Sequence, residues 1–192
     1  AAIYSDAGEW TSAADEWLRA GEWAQAVDLL VAHGHVERAL ALLAERREGE
    51  ALARRAALLA EQKRWQEALP LYQQLGDLAG QAQAQTGLGN GEEAAHLWVQ
   101  AARQTERPHP PAELRQHLAD CYAAAAQLYR QSYRWEAMNE ARRKAHYYRG
   151  LPWLEVEVAG KAFVLNQRNV LEMTVYNEGG GPAGQVEVTL HA

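Results

Sequence analysis

The side chains able to do chemistry are few and thinly spread. His117 and Cys121 stand four residues apart, so on a helix they share one face and could offer two metal ligands or a thiol beside a base. Two ligands do not close a metal site, no second pair with suitable spacing lies nearby, and no third group is in evident reach to orient the pair for catalysis. A small buried hydrophobe is the alternative reading of the cysteine. His33 and His35 flank Gly34 at what reads as a helix corner, where imidazole complements the carbonyl end of a helix. Gly87-Leu88-Gly89-Asn90-Gly91 looks like a phosphate-binding loop. It follows a helical pattern rather than a strand, however, and lacks the Gly-Lys-Ser/Thr ending, so it reads as a corner too.

Binding residues are easier to nominate than catalytic ones. Tryptophan recurs at one repeat position, Trp10, Trp23, Trp65 and Trp135, where a core role is expected. Trp17 and Trp98 fall outside that position, and either one, if exposed on a concave surface, would anchor a peptide or a partner helix. Arg142-Arg143-Lys144 beside Tyr147 and Tyr148 is the one basic and aromatic cluster. Arg142, Arg143 and Tyr147 therefore join Trp17 and Trp98 as candidate protein-binding residues. The chain is acidic overall, at −6, which disfavours nucleic acid as the partner. Charge is also uneven: residues 1–30 carry six acidic side chains against Arg19, whereas residues 101–150 carry nine basic against five acidic. Such ends could steer a partner or drive head-to-tail assembly.

These residues must be positioned by repeated short helices. Gly8-Glu9-Trp10, Gly21-Glu22-Trp23 and Gly34-His35-Val36 recur every 13 residues, and the phase resumes at Lys63-Arg64-Trp65, Gly76-Asp77-Leu78 and Gly89-Asn90-Gly91, with lysine in the first glycine position. A small residue follows three after the aromatic or aliphatic one, at Ala13, Ala26, Ala39, Ala68 and, less closely, Ala82. Glycine closes a helix in the left-handed conformation, the polar neighbour favours the start of the next, and the alanine lets the adjacent helix approach. Helices are expected over 9–20, 22–33, 35–46, 50–62, 65–75, 77–87, 91–106, 112–132 and 135–149, with a kink at Pro70 and a break at residues 107–111. After Gly150-Leu151-Pro152 the spacing changes to strict alternation, with strands expected around 153–158, 170–176 and 186–190 and a glycine-rich loop at 179–182.

The Gly-Glu-Trp-x-x-Ala and Arg-Trp-x-x-Ala-Leu-x-Leu-Tyr units resemble tetratricopeptide repeats. Their 13-residue helices are also similar to the α-solenoids of clathrin, coatomer and intraflagellar-transport subunits. Two helices take 26 residues here rather than 34, which weakens any transfer of the standard peptide groove. Helices 112–132 and 135–149, with Tyr122, Ala126, Tyr129, Trp135, Ala141 and Ala145 at helical spacing, resemble an ordinary tetratricopeptide hairpin. Leu171 to Leu190, with its Asn177-x-Gly179-x-Gly181-Pro182 turn, resembles immunoglobulin-like modules of the CARDB type found in bacterial multidomain proteins.

The expected fold is thus mainly α, a right-handed α-solenoid of short antiparallel helix hairpins over 1–150, followed by a partial antiparallel β-sandwich over 151–192. The lone Cys121 excludes an internal disulfide within this stretch. No apolar run of membrane-spanning length and no leader pattern is present, so a cytoplasmic protein is expected. Both ends read as cut from a larger chain. The function expected is a non-enzymatic scaffold for a protein or peptide partner, with no catalytic residue, cofactor or metal. Two rivals stand beside it: the regulatory or sensor arm of a signalling ATPase or protease outside this stretch, and a self-assembling coat or filament subunit.

Overall fold

The computed structural model describes residues 10–159 and 172–184. Nine helices lie among them: α1 (Trp10–Arg19), α2 (Trp23–Ala32), α3 (Val36–Ala44), α4 (Gly49–Glu61), α5 (Trp65–Leu75), α6 (Leu78–Gly87), α7 (Gly91–Thr105), α8 (Ala112–Gln131) and α9 (Trp135–Arg149). Two strands follow, β1 (Leu154–Ala159) and β2 (Glu172–Asn177). Every expected helix is present within a few residues of its expected ends. The first two expected strands are present as well, while residues 186–190 lie outside the described part.

One corner is used again and again. Gly21, Gly34, Lys63, Gly76, Gly89, Tyr133 and Gly150 all have positive φ, between 57° and 83°. At each, the left-handed residue donates its N–H to the carbonyl three back, and the next residue donates to the carbonyl five back, as in Gly21 to Leu18 and Glu22 to Trp17. This is the Schellman closure, which satisfies carbonyls that a helix end otherwise leaves unpaired. Except after Gly150, the next helix begins two residues later, so consecutive helices must fold back as neighbours. Lys63 keeps the phase that the glycine spacing assigned it, and the helix bond network holds it in a conformation that usually goes to glycine. The link between α3 and α4 is different. Glu45 stays right-handed and Glu48 is extended, and this is where the 13-residue phase slips. Capping by the polar corner residue is realised at Asp77, whose Oδ1 accepts from the Gly80 N–H at 2.9 Å. Glu22, His35, Arg64 and Arg134 make no such bond. The two arginines instead reach other helices, as described below.

The chain divides into two compact units, Ala1–Asn90 and Gly91–Ala192. The change from helix to strand at residue 150 falls inside the second. In the first unit each helix packs on the next from α1 to α6; in the second α7 packs on α8 and α8 on α9. Alanine builds both cores: Ala13, Ala26, Ala39, Ala68 and Ala82 are all fully buried, as are Ala94, Ala95, Ala102, Ala119 and Ala125. Side chains this small let helix axes approach to the short end of the usual 8–10 Å range. Leu30, Leu43, Leu59 and Leu118 supply the larger buried side chains. Pro70 sits inside α5, which continues through it to Leu75.

Ion pairs join several helices to the second one along. Arg38 of α3 meets Asp15 of α1 at 2.6 Å, Arg54 of α4 meets Asp28 of α2 at 2.9 Å, and Arg64 at the start of α5 meets Glu37 of α3 at 2.7 Å. In the second unit Arg134 at the start of α9 meets Glu92 of α7 at 3.2 Å. Exposed pairs of this kind add little stability. Their value is geometric, because they show that side chains of helices n and n+2 come within reach of one another.

β1 and β2 form an antiparallel ladder from Leu154 opposite Asn177 to Ala159 opposite Glu172. The side chain of Asn177 makes the turn beyond it: its Oδ1 accepts from the backbone N–H of Gly179 at 3.1 Å and of Trp153 at 3.2 Å. Its amide donates to the Gly181 carbonyl at 2.9 Å.

Candidate functional site

Trp17 and Trp98 are both half-buried. Trp17 packs against the core of the first unit and Trp98 against that of the second, so neither stands out as an exposed anchor. The recurring tryptophans follow a different rule from simple burial. The ring at the start of one helix is covered by the end of the next: Trp10 stacks on His33 at 3.4 Å between centroids, Trp23 lies beneath the Arg46 guanidinium at 5.1 Å, and Trp65 lies against Gly87. Trp135, expected in the core, breaks the pattern and is 54% exposed. The element after α9 is a strand rather than a helix, so no helix end covers its ring. Its aromatic neighbour is Tyr133, 76% exposed and edge-on at 6.0 Å.

Arg142-Arg143-Lys144 does not act as a cluster. Successive helical residues diverge by about 100°, and these three go to three different places. Arg142 lies over the Trp153 ring at 5.5 Å, Arg143 pairs with Glu178 beyond β2, and Lys144 donates to Glu106 at 2.8 Å. Tyr147 is 54% exposed and edge-on to Tyr148, whereas Tyr148 itself is buried. The acidic N-terminal side chains are also engaged locally: Asp15 and Asp28 in the pairs above, and Glu16 with Arg19.

A dense polar network centres on Glu106, just past the end of α7. Its carboxylate accepts from Tyr148 Oη, from Lys144 Nζ and, at 3.3 Å, from Tyr122 Oη. Tyr122 and Tyr148 stack with centroids 6.0 Å apart. Burial opposes ionisation of Glu106, yet the bonds from Lys144, Tyr148 and Tyr122 outweigh it and hold the carboxyl below its usual value. Burial and the adjacent carboxylate push Tyr122 up to about 12, and they push Tyr148 up as well. This network ties α7, α8 and α9 together. Next to it, a cleft of about 230 Å³ includes His96, Gln100, Arg103, Tyr129 and Glu140 in its lining. Glu106 gives no signal in the sequence, because its partners lie 16 to 42 residues away.

Cys121 and His117 do meet, with Sγ 3.6 Å from Nε2. Burial pushes the thiol up to about 11, so at neutral pH it is a protonated core group, 2% exposed. Among the described residues no three His, Cys, Asp or Glu side chains gather in a metal-binding group. Gly87 to Gly91 forms the α6–α7 corner, with Gly89 left-handed and the Asn90 amide on Gln85 at 2.8 Å. Among the described residues no helix is long and apolar enough to cross a membrane. No protein-family model, no curated protein and no solved structure matches the chain.

Proposed function

We propose that the chain is a non-enzymatic scaffold for a protein partner, a segment of a right-handed tetratricopeptide-like solenoid that runs into an immunoglobulin-like module of a larger, bacterial, cytoplasmic protein. The ladder of pairs between helices n and n+2 supports the stacked arrangement, and the antiparallel β1–β2 pair is what an opening sandwich would present. The observation that carries the binding role is the aromatic corner at Tyr133 and Trp135. Tyrosine occupies a left-handed position that glycine fills at most equivalent corners, and its ring is spent on solvent rather than on packing. A residue that costs stability without packing benefit is expected where a surface contact needs it.

The test separates binding from folding. Tyr133→Gly removes the ring and relieves the left-handed strain, about 1–2 kcal/mol, less the unfolded-state freedom glycine adds, about 0.4–1 kcal/mol. The expected outcome in urea unfolding is a gain of about 0.5–1 kcal/mol. The same protein carrying also Trp135→Ala should lose a discrete, nuclease-resistant partner that the parent chain captures from host lysate. Capture that survives both substitutions would take the partner off this corner.

A further inference from the structure

The second unit carries an open groove between α8 and α9. Its floor is Ala123, Ala126, Met138 and Ala145, and its rim carries Arg130, Arg142, Arg149 and His146. It measures about 400 Å³, and among the described residues no carboxylate lines it. On α9 the stripe Trp135, Met138, Arg142, Arg149 follows helical spacing i, i+3, i+7, i+14, so the exposed tryptophan belongs to the same face. Trp153 closes the other end, lying under Arg142 and edge-on to His146 at 5.2 Å. His146 is held there by its Nδ1–H, which donates to the Pro152 carbonyl at 3.1 Å. Arg149 meets Asp120 of α8 at 3.3 Å, but among the described residues Arg130 and Arg142 enter no ion pair.

The grammar of the stack says what this surface fits. The tryptophans that open three earlier helices, Trp10, Trp23 and Trp65, are each covered by the end of the helix that follows, and α3, α4 and α5 each reach the second helix back through an arginine and a carboxylate. After α9 the chain turns into β1, so the place of a next helix is left to something else. The small floor residues admit a helix at close range, and the rim demands negative charge on it. We infer that the α8–α9 groove docks an acidic amphipathic helix from another protein, seated where the next helix of the array would lie. Carboxylates on the flanks of that helix meet Arg130 and Arg142, its apolar stripe meets Ala126 and Met138, and its end covers Trp135.

This rests on the scaffold reading and names the partner chemistry. The probe is a fluorescein-labelled synthetic helix of about four turns, with a Leu and Ala stripe flanked by Glu, titrated with residues 1–192 and followed by anisotropy. Saturable binding is expected, at least about tenfold weaker for the Gln-flanked analogue and declining with salt. Arg130→Glu with Arg142→Glu should abolish it and create binding to a Lys-flanked helix, a rescue that an unfolded variant could not give. Arg130→Gln with Arg142→Gln, gentler changes at exposed positions, should weaken the Glu-flanked helix at least about tenfold. Equal affinity for the Glu- and Gln-flanked helices, or indifference to both double variants, would overturn the inference. So would displacement of the helix by oligouridylate, or a dimer of the parent chain that the charge reversal makes monomeric. Loss of probe binding alongside undiminished capture of a lysate partner would overturn the groove while leaving the scaffold reading standing.

Discussion

Glu106 illustrates how one side chain can tie three helices together. Its carboxylate is ionised against the cost of burial because three donors from α8 and α9 converge on it. The linkage with pH follows from the two directions of shift. The depressed Glu106 value contributes stability above the usual carboxylate range, and that contribution is lost as pH falls through the folded value. The raised tyrosines contribute below pH 10, and theirs is lost as pH climbs toward about 12 for Tyr122. Glu106→Gln should cost about 1–2 kcal/mol at neutral pH, at the lower end for a bond to a charged group because the site is partly exposed. It should also bring Tyr122 and Tyr148 down toward ordinary values. Tyrosinate absorbance during alkaline titration measures this directly, and an unchanged titration curve would mean that burial alone raises the two phenols.

At the scale of elements, the helices are held by corners and by the closeness that small residues allow. Gly87 and Gly80 on α6 show the second effect. A Cβ on Gly87 would overlap the Trp65 ring, and one on Gly80 would overlap the Tyr72 ring. Alanine improves helix propensity by about 1 kcal/mol at such a position, whereas forcing atoms into a packed contact costs about 1–3 kcal/mol. The overlap here is with a bulky ring wedged between helices, so the upper part of that range should win. Gly80→Ala, at a buried glycine against the buried Tyr72 ring, is expected to lose about 1–2 kcal/mol in urea unfolding, where an exposed helical glycine would gain. The elements themselves are legible in the sequence, because glycine at a fixed spacing is a local signal and the closure it makes is local too. Lys63 was legible through phase alone. Tyr133 was not, since nothing in a tyrosine advertises a left-handed corner. Trp135 was placed in the core by the repeat, and only the absence of a following helix turns it outward. The division of Arg142, Arg143 and Lys144 among three partners depends on Trp153, Glu178 and Glu106, none of which is a neighbour in sequence.

On the scale of the whole molecule, the informative feature is how the second unit stops. Among the described residues the last helix closes at Gly150, and Gly180-Gly181 lies backbone to backbone on its end while Gly179 lies on Leu151 to Trp153. A Cβ on Gly180 would overlap the Tyr147 carbonyl oxygen, and one on Gly181 the Gly150 carbonyl oxygen. Neither obstacle is a side chain that could rotate aside, so alanine at Gly180 must push the strand pair off the helix. That would strain the Arg143–Glu178 pair and the seat of Trp153 beside His146 and Arg142. The expected result of Gly180→Ala is faster amide exchange across residues 150–159, with protection in α7 to α9 retained, since the Glu106 network that joins those helices is untouched. The groove should respond as well. Trp153 is its end wall, so the substitution should weaken binding of an acidic helix without altering any rim arginine. Unchanged exchange at residues 150–159 would show that the backbone there yields without detachment, and the strand pair would then be a passive continuation of the chain rather than part of the docking surface.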